Sequence, residues 1–221
     1  CGNGLFLKKM RERLWDCYGT DISQYAIDLA GKHGGIKLFC GEMEDAKFSD
    51  SQFDVITFWQ SFEHIAKPSQ ILQKARSLLN DDGILFISVP NIESIEAVMS
   101  MKKWFGFEPP FHLYWYSART LALLLEKNGF HVIKIGKNSI EYNFPFFMQS
   151  FFNALGGEHN YLSIIFKRQK PECHYNPFLR IYTIVLMIMA FPIVLAIYPI
   201  LCFVNVIFNN GSVVEVFAKK R

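Results

Sequence analysis

The chain opens with "CGNGLFL" at residues 1–7, where Gly2 and Gly4 form a GxG turn that leads directly into a helical pattern. A turn of this kind lets backbone N–H groups approach a ligand, and the start of a helix favours negative charge. The dinucleotide-binding fingerprint GxGxxG needs a third glycine at position 7, where Leu7 stands. The turn therefore indicates either a nucleotide-binding loop or an ordinary loop before a helix.

Strand and helix patterns alternate from Cys1 to about Gly136. The strand patterns are "WDCYGTD", "IKLFCGE", "FDVITFW", "DDGILFISVPN" and "HVIKIG". This alternation predicts parallel βαβ units and an α/β fold with a doubly wound, mostly parallel Rossmann-like sheet. Because a glycine turn of this kind normally follows a strand, we expect the first strand of the fold, apolar and ending in Asp or Glu, to be missing from this chain.

The composition limits the classes of function. The 221 residues can hold one ordinary domain plus an appendage. The net charge of +3 is too small to indicate nucleic-acid binding, so we expect no nucleic-acid partner. The five cysteines are scattered without CxxC spacing, which fits a reducing compartment and predicts neither a disulfide framework nor a metal site.

Asp21 ends the strand pattern that follows the glycine turn. An acid at this position can accept hydrogen bonds from both hydroxyls of a ribose. It can also cap the helix that begins at "ISQ", and the two roles are compatible.

Five segments resemble class I S-adenosylmethionine-dependent methyltransferases in order and spacing: "CGNG", "GTDIS", "GEMED", "FDVITFWQSFEHI" and "LLNDDGILFISVPN". The segment "WFGFEPPFHLYWYSARTLALLLEKNGF" is similar to the W-x-G-x-D-x-P-R-H-L segment of one branch that methylates small molecules and lipids, and "NNGSVVEVFAKKR" resembles its closing strand. The resemblance covers about residues 1–143 and 209–221, which we expect to form a methyltransferase domain.

The resemblance implies S-adenosyl-L-methionine as the cofactor and assigns positions around it. Gly2 and Gly4 would lie under the methionine part, and Asp21 would hold the ribose. The remaining implied contacts are Glu42 and Met43 beside the adenine and Gln60 near the sulfonium.

Methyl transfer needs a base only when the accepting group carries a proton. His112 is the candidate catalytic base, since it follows a strand at the edge where ligands meet an open α/β sheet. It can instead satisfy local backbone groups, and Glu63 and His64 are expected to hold their loop. Four aromatic residues could stack on a substrate or pack in the core: Trp59, Trp104, Trp115 and Tyr116.

Residues 144–208 are predicted to form a hydrophobic helical insertion, because residues 181–208 carry no charge and exceed the length of a membrane crossing. If "SVVEVFAKK" returns to the sheet as an antiparallel strand beside "HVIKIG", both ends of this run lie on one side of a membrane. Pro192 and Pro199 offer bends, so a re-entrant hairpin or interfacial helices are predicted. A hairpin buried in the core or a dimer interface, and a single span with the last strand misread, are the alternatives.

Basic residues flank the run and favour the cytoplasmic face of a membrane: Lys167, Arg168, Lys170, Arg180, Lys219, Lys220 and Arg221. We therefore expect an enzyme that docks on the membrane through residues 178–208 and methylates an amphiphilic small molecule, lipid or lipid-linked sugar. The alternatives are a non-catalytic, membrane-anchored binding or scaffold protein and a nicotinamide-dependent oxidoreductase.

Overall fold

The computed structural model describes residues 1–50, 52–157, 161 and 177–221. The helices are α1 (Leu5–Arg11), α2 (Gln24–Gly31), α3 (Pro68–Leu78), α4 (Ile95–Ser100), α5 (Ala118–Lys127), α6 (Ile140–Ala154) and α7 (Pro177–Phe208). The strands are β1 (Tyr18–Asp21), β2 (Lys37–Cys40), β3 (Phe53–Trp59), β4 (Leu79–Pro90), β5 (Phe130–Gly136) and β6 (Val213–Lys220). Short 3-10 turns lie at Phe62–His64, Met101–Lys103 and Phe105–Phe107.

The strands form one parallel pair and one mixed sheet. β1 pairs in parallel with β2, and the larger sheet has the order β3-β4-β6-β5. β3 and β4 run parallel, whereas β6 is antiparallel to both β4 and β5. The predicted α/β fold and its antiparallel last strand are therefore confirmed.

The two sheets lie side by side, and the neighbouring strands β1 and β3 run in the same direction. Tyr18 and Phe53, which begin β1 and β3, are 5.1 Å apart between ring centroids. Beyond the other end of β1, Phe6 of α1 lies 5.3 Å from Trp59, the last residue of β3. Within the described strands no hydrogen-bonded ladder joins β1 to β3, and the expected additional first strand stays a prediction.

The main core lies on the larger sheet, where α3 and α5 bury their apolar faces. Pro68 occupies the first turn of α3, and Ser117 Oγ caps α5 by accepting the Thr120 N–H at 3.2 Å, as the sequence predicts. Full burial of one such aliphatic side chain contributes about 1.5–3 kcal/mol. The buried side chains include Ile71, Leu72, Leu85, Ile87, Leu121, Leu125, Val214 and Val216.

Helices α6 and α7 pack against each other as an antiparallel pair. At the end of α6, Tyr182 Oη donates a hydrogen bond to the Leu155 carbonyl at 3.1 Å. Nearer its start, the rings of Phe144 and Tyr198 lie 4.8 Å apart. The two helices therefore run in opposite directions. The assignment of residues 144–208 to a separate insertion stays a prediction.

The re-entrant hairpin predicted for residues 178–208 is wrong, because this run forms one continuous helix that contains both Pro192 and Pro199. Residues 181–204 contain no Gly, Asn, Asp or Ser, so the two prolines have no other turn-forming residue beside them and the helix continues through both. β6 follows α7 as a strand, so the last strand is not misread. Only 11% of the most apolar 18-residue segment of α7 is buried within the structure, so this run is also not a hairpin packed in the domain core.

The basic residues at the end of the chain do not flank α7. Lys219 and Lys220 lie at the far end of β6, 3.6 Å from Asp82 and 2.9 Å from Asp81. β6 carries them roughly 25 Å along the sheet, at about 3.4 Å per residue. Arg180 lies in the first turn of α7, while Lys167, Arg168 and Lys170 lie outside the described residues.

Candidate active site

The predicted site residues lie at the carboxyl edge of the sheets. Asp21 ends β1, Gln60 follows β3, and Asn91 follows β4. In open α/β sheets this edge is where ligands bind. Because β6 is antiparallel to β4, its first residue, Val213, pairs with Pro90 at the same edge. α6 also starts here, after the end of β5, so both helices of the α6–α7 pair leave the domain on the ligand side.

The two glycines of the opening turn have different tasks. Both have positive φ, +56° at Gly2 and +74° at Gly4. A Cβ at Gly4 would lie 2.7 Å from the Ala30 Cβ, so Gly4 lets α1 approach α2 closely. No described atom lies within 4 Å of a Cβ placed at Gly2. Gly2 is therefore the glycine that leaves room for a ligand.

Asp21 lies beside the glycine turn, as predicted. Its Oδ2 accepts the Gly2 N–H at 2.8 Å and the Cys1 amino group at 3.0 Å, while Oδ1 accepts the Ser23 N–H at 2.9 Å. Burial alone raises the pKa of this carboxyl, but these hydrogen bonds outweigh it and leave the pKa below its usual value. An ionised carboxylate has about four lone-pair sites, so Oδ1 retains one for a ribose hydroxyl. The arrangement leaves an acceptor site for one ribose hydroxyl, whereas the sequence suggested contact with both, and the ribose-binding role stays a prediction.

Gln60 is fixed against β4 rather than extended into solvent. Its backbone N–H donates to the Ser88 carbonyl at 2.8 Å, and its Nε2 donates to Ser88 Oγ at 3.1 Å. Ser88 is a supporting residue that the sequence reasoning missed. Of the two residues expected beside the adenine, Met43 packs partly against the main core, whereas Glu42 is exposed.

Glu63, His64 and His112 meet beside the end of β3. Glu63 and His64 lie in the 3-10 turn after this strand, and His112 lies in the loop before α5. The two imidazole centroids are 4.7 Å apart. Glu63 Oε1 lies 4.0 Å from His64 Nε2 and 3.9 Å from His112 Nε2. Sequence reasoning did not predict this grouping, because the two histidines are distant in the chain.

Both histidine rings are oriented through Nδ1. His64 Nδ1 lies 2.8 Å from the Phe111 carbonyl, and His112 Nδ1 lies 2.8 Å from the Gly106 carbonyl. Because a carbonyl only accepts, each Nδ1 is a protonated nitrogen, and in the neutral form of each ring the lone pair is on Nε2. Local backbone groups therefore orient His112, and the same contact gives Nε2 the state that a base requires. The catalytic role of His112 stays a prediction.

Exposed apolar side chains surround the His112 loop. Trp115 stacks on Phe107 at 4.8 Å between ring centroids, and it remains partly exposed like Trp59. Trp104 and Tyr116 are buried, as core packing requires. The further exposed residues of this loop and of α4 and its end are Phe111, Leu113, Tyr114, Val98, Met99 and Met101.

Comparison with known proteins identifies the family of the chain. Residues 1–135 match the family described as "Methyltransferase domain". A ubiquinone biosynthesis O-methyltransferase of Actinobacillus pleuropneumoniae serotype 7 is 31% identical over 109 residues, which cover 45% of this chain and 46% of the relative. The mitochondrial ubiquinone biosynthesis O-methyltransferase of Saccharomyces cerevisiae is 33% identical over 106 residues, covering 43% and 33%. This chain thus matches less than half the length of these relatives.

Solved structures share the fold at low sequence identity. A SAM-dependent methyltransferase from Archaeoglobus fulgidus has a TM-score of 0.60 and 19% identity, covering 100% of this chain and 83% of that one. A possible histamine N-methyltransferase from Thermotoga maritima has a TM-score of 0.59 and 15% identity, covering 100% and 78%. The family match spans more than half of the chain, and the chain therefore belongs to the methyltransferase domain family.

Proposed function

We propose that this protein transfers a methyl group from S-adenosyl-L-methionine to a hydroxyl oxygen of a small molecule held in or at a membrane. Family membership and the glycine turn with Asp21 support the cofactor. The relatives named as O-methyltransferases of ubiquinone biosynthesis support an oxygen acceptor. The observation that carries the membrane part is α7, an exposed apolar helix that leaves the domain at the ligand edge.

α7 has the length and surface of a membrane-embedded helix. Its 32 residues span about 48 Å at 1.5 Å each, more than the roughly 30 Å of a hydrocarbon core. Exposed apolar side chains occur along its whole length, including Ile188 at 68% and Met189 at 72% exposure. A helix that lies in the membrane interface needs a strongly polar face, and residues 181–208 have no charge to form one. Insertion into lipid therefore suits α7 better than surface binding. Because β6 returns to the sheet, α6, which packs antiparallel to α7 and carries a single charge at Glu141, would enter the lipid beside it.

A buried polar contact ties α7 to the methyltransferase domain. Asn205 Nδ2 in the last turns of α7 donates to Glu96 Oε1 of α4 at 2.7 Å. The exposed Val98 and Met99 lie on the same helix as Glu96. We propose that an amphiphilic acceptor approaches the site between α7 and the His112 loop, past these exposed apolar side chains. We propose the cytoplasmic side of the membrane as the location of the domain.

The residues of the chain would align the reactants and move a proton. When bound, S-adenosyl-L-methionine supplies an electrophilic methyl group on a cationic sulfonium. Asp21 would hold the ribose, and Gln60, fixed by Ser88, would lie near the reacting centre. The acceptor hydroxyl would be held in line with that methyl group, and His112 Nε2 would take the hydroxyl proton as the methyl is transferred. Alignment and exclusion of water supply most of the rate in such displacements.

The test uses the full chain, S-adenosylhomocysteine and vesicles of phosphatidylcholine with phosphatidylglycerol. Titration calorimetry should detect binding of S-adenosylhomocysteine and none of NAD. In flotation, the wild type should rise with the vesicles, and the double variant Ile188→Lys/Met189→Lys should remain in solution. Leu123→Lys on α5 is the control, because it adds a lysine at an exposed apolar position of the methyltransferase domain, with one added charge against two in the α7 variant.

Methyl transfer is then measured with phenolic acceptors that do or do not carry an alkyl tail. We expect the tailed acceptor in vesicles to be methylated faster, and the Ile188→Lys/Met189→Lys variant to lose this advantage. Cofactor binding without transfer to either acceptor would favour the scaffold alternative. Flotation that is equal for the α7 variant and for Leu123→Lys would refute the membrane role.

A further inference from the structure

We propose that Glu63, His64 and His112 form a binding site for a divalent transition-metal ion, with Zn²⁺ as the best fit. Each of the three side chains offers one ligand atom, and these atoms all lie within 4.8 Å of one another. Two imidazoles and one carboxylate form the His₂Glu ligand set that proteins use for zinc with an open coordination position. The prediction of no metal site rested on the spacing of the cysteines and did not consider ligands from histidine and glutamate.

The orientation of the histidines supports metal binding. A metal-ligating histidine usually donates its other ring N–H to a carbonyl or carboxylate, which fixes the ring and raises its basicity. His64 and His112 both do this through Nδ1, at 2.8 Å from the carbonyls of Phe111 and Gly106. The two Nε2 lone pairs are thereby directed toward the Glu63 carboxylate. If His112 only satisfied a backbone carbonyl, there would be no reason for the neighbouring His64 ring to have the same orientation.

The ligand atoms must move closer together to hold an ion. Ligands about 2.1 Å from a tetrahedral Zn²⁺ are roughly 3.4 Å apart. The separations of Glu63 Oε1 from the two Nε2 atoms are 3.9 and 4.0 Å, and all three ligand atoms lie within 4.8 Å of one another, so side-chain rotations must close the gaps by about 0.5–1.4 Å. Glu108 Oε2, at 3.7 Å from His112 Nε2, is the other acid that faces this ring.

The surroundings favour a catalytic rather than a purely structural site. The side chains of Glu63 and His112 are 1% and 7% exposed, whereas His64 is 41% exposed. The two buried ligands would therefore hold an ion from the interior side, and its open coordination position would face solvent at the carboxyl edge of the sheet. There it would bind the acceptor oxygen and lower the pKa of its hydroxyl, so that the proton can pass to water; with Nε2 bound to the ion, His112 would act as a ligand and not as the base. Metal binding itself does not depend on the proposed methyl transfer.

The experiment titrates the chelator-treated full chain with Zn²⁺ by calorimetry and with Co²⁺ by visible absorption. We expect one tight site per chain and the intense Co²⁺ bands of a four-coordinate centre. Glu63→Gln keeps the shape of the side chain, and His64→Ala changes the most exposed ligand, so both variants should fold. Each should weaken Zn²⁺ binding by roughly 100-fold or more, beyond the usual effect of losing an outer-shell partner. His131→Ala, at an exposed histidine on β5, is the control.

The results separate this site from the proposed function. Equal Zn²⁺ affinity in the wild type, Glu63→Gln and His64→Ala would overturn the metal site, even if methyl transfer occurs. Selective loss of Zn²⁺ binding in those variants would support it, even if no acceptor is methylated. An unchanged melting curve of each variant without metal shows that the loss is one of ligands and not of folding.

Discussion

Replacement of Gly4 by alanine tests whether the opening turn is built as the structure indicates. Gly4 has a φ of +74°, and a Cβ there would lie 2.7 Å from the Ala30 Cβ and 2.9 Å from its Cα. At Gly2 the φ is +56°, but no described atom lies within 4 Å of a Cβ. The two alanine variants therefore share the backbone strain and differ in the clash with α2.

The expected magnitudes follow from these two contributions. A non-glycine residue in the left-handed region costs about 1–2 kcal/mol. An overpacked contact adds about 1–3 kcal/mol, because backbone atoms of α2 must move. We therefore expect Gly2→Ala to lower the free energy of unfolding by about 1–2 kcal/mol and Gly4→Ala by about 2–5 kcal/mol.

The assay is urea unfolding of the full chain in mild detergent, followed by tryptophan fluorescence. Trp59 reports on the turn, because its ring lies 5.3 Å from Phe6 in α1. Calorimetry with S-adenosylhomocysteine gives a second readout, in which Gly2→Ala should lose more affinity than its stability loss explains. Combining Gly4→Ala with Ala30→Gly removes the closest contact, and a favourable coupling of about 0.5–3 kcal/mol is expected.

The reasoning is refuted if Gly4→Ala and Gly2→Ala are equally stable within about 0.5 kcal/mol. The same conclusion follows if Ala30→Gly shows no coupling to Gly4→Ala. Either result would mean that α1 does not approach α2 at this glycine, and the geometry of the turn would have to be reconsidered.

Three further substitutions have directions set by burial and charge. Asp21→Asn should weaken S-adenosylhomocysteine binding and lower the stability of the protein at pH 7. Because the pKa of Asp21 is lowered in the folded protein, the stability difference between wild type and variant should disappear in calorimetric melts as pH falls through that folded pKa. Burial raises the pKa of Glu96 in the folded protein, so the wild type loses stability as pH rises above the unfolded pKa of about 4.3. Glu96→Gln still accepts the hydrogen bond from Asn205 and has no such pH dependence. Urea titrations should therefore show the variant gaining stability relative to the wild type as pH rises through that range. Trp104→Ala should cost roughly 3–5 kcal/mol in the same titrations, and Trp115→Ala clearly less, because only Trp104 is fully buried.

Local signals in the sequence predict most of the methyltransferase domain. Each strand is a short apolar or β-branched run next to a helix with its own boundary residues, so period and capping suffice to place it. Ser23 and Ser117 are such boundaries, and both accept the N–H three residues later. Asp21 is also predictable, because a residue at the end of a strand after a glycine turn has little freedom of position.

The helical appendage and the histidine cluster depend on long-range packing and so escape sequence reasoning. The uncharged run of α7 has no polar positions that would show which face contacts α6, and Tyr198 meets Phe144 only in the folded chain. His64 and His112 come together because two loops meet at one sheet edge. Neither loop alone contains a spacing that indicates a metal site.

The reversed direction of β6 brings the end of α7 to the candidate site. A strand parallel to β4 would begin at the amino edge of the sheet, and the helix before it would leave the domain there. β6 is antiparallel, with Val213 opposite Pro90, so α7 must end at the carboxyl edge, where Asp21 and Gln60 also lie. A helix inserted in lipid at this edge holds the candidate site close to the membrane surface. The topology thus favours an acceptor that approaches along the membrane over one that diffuses in from solution.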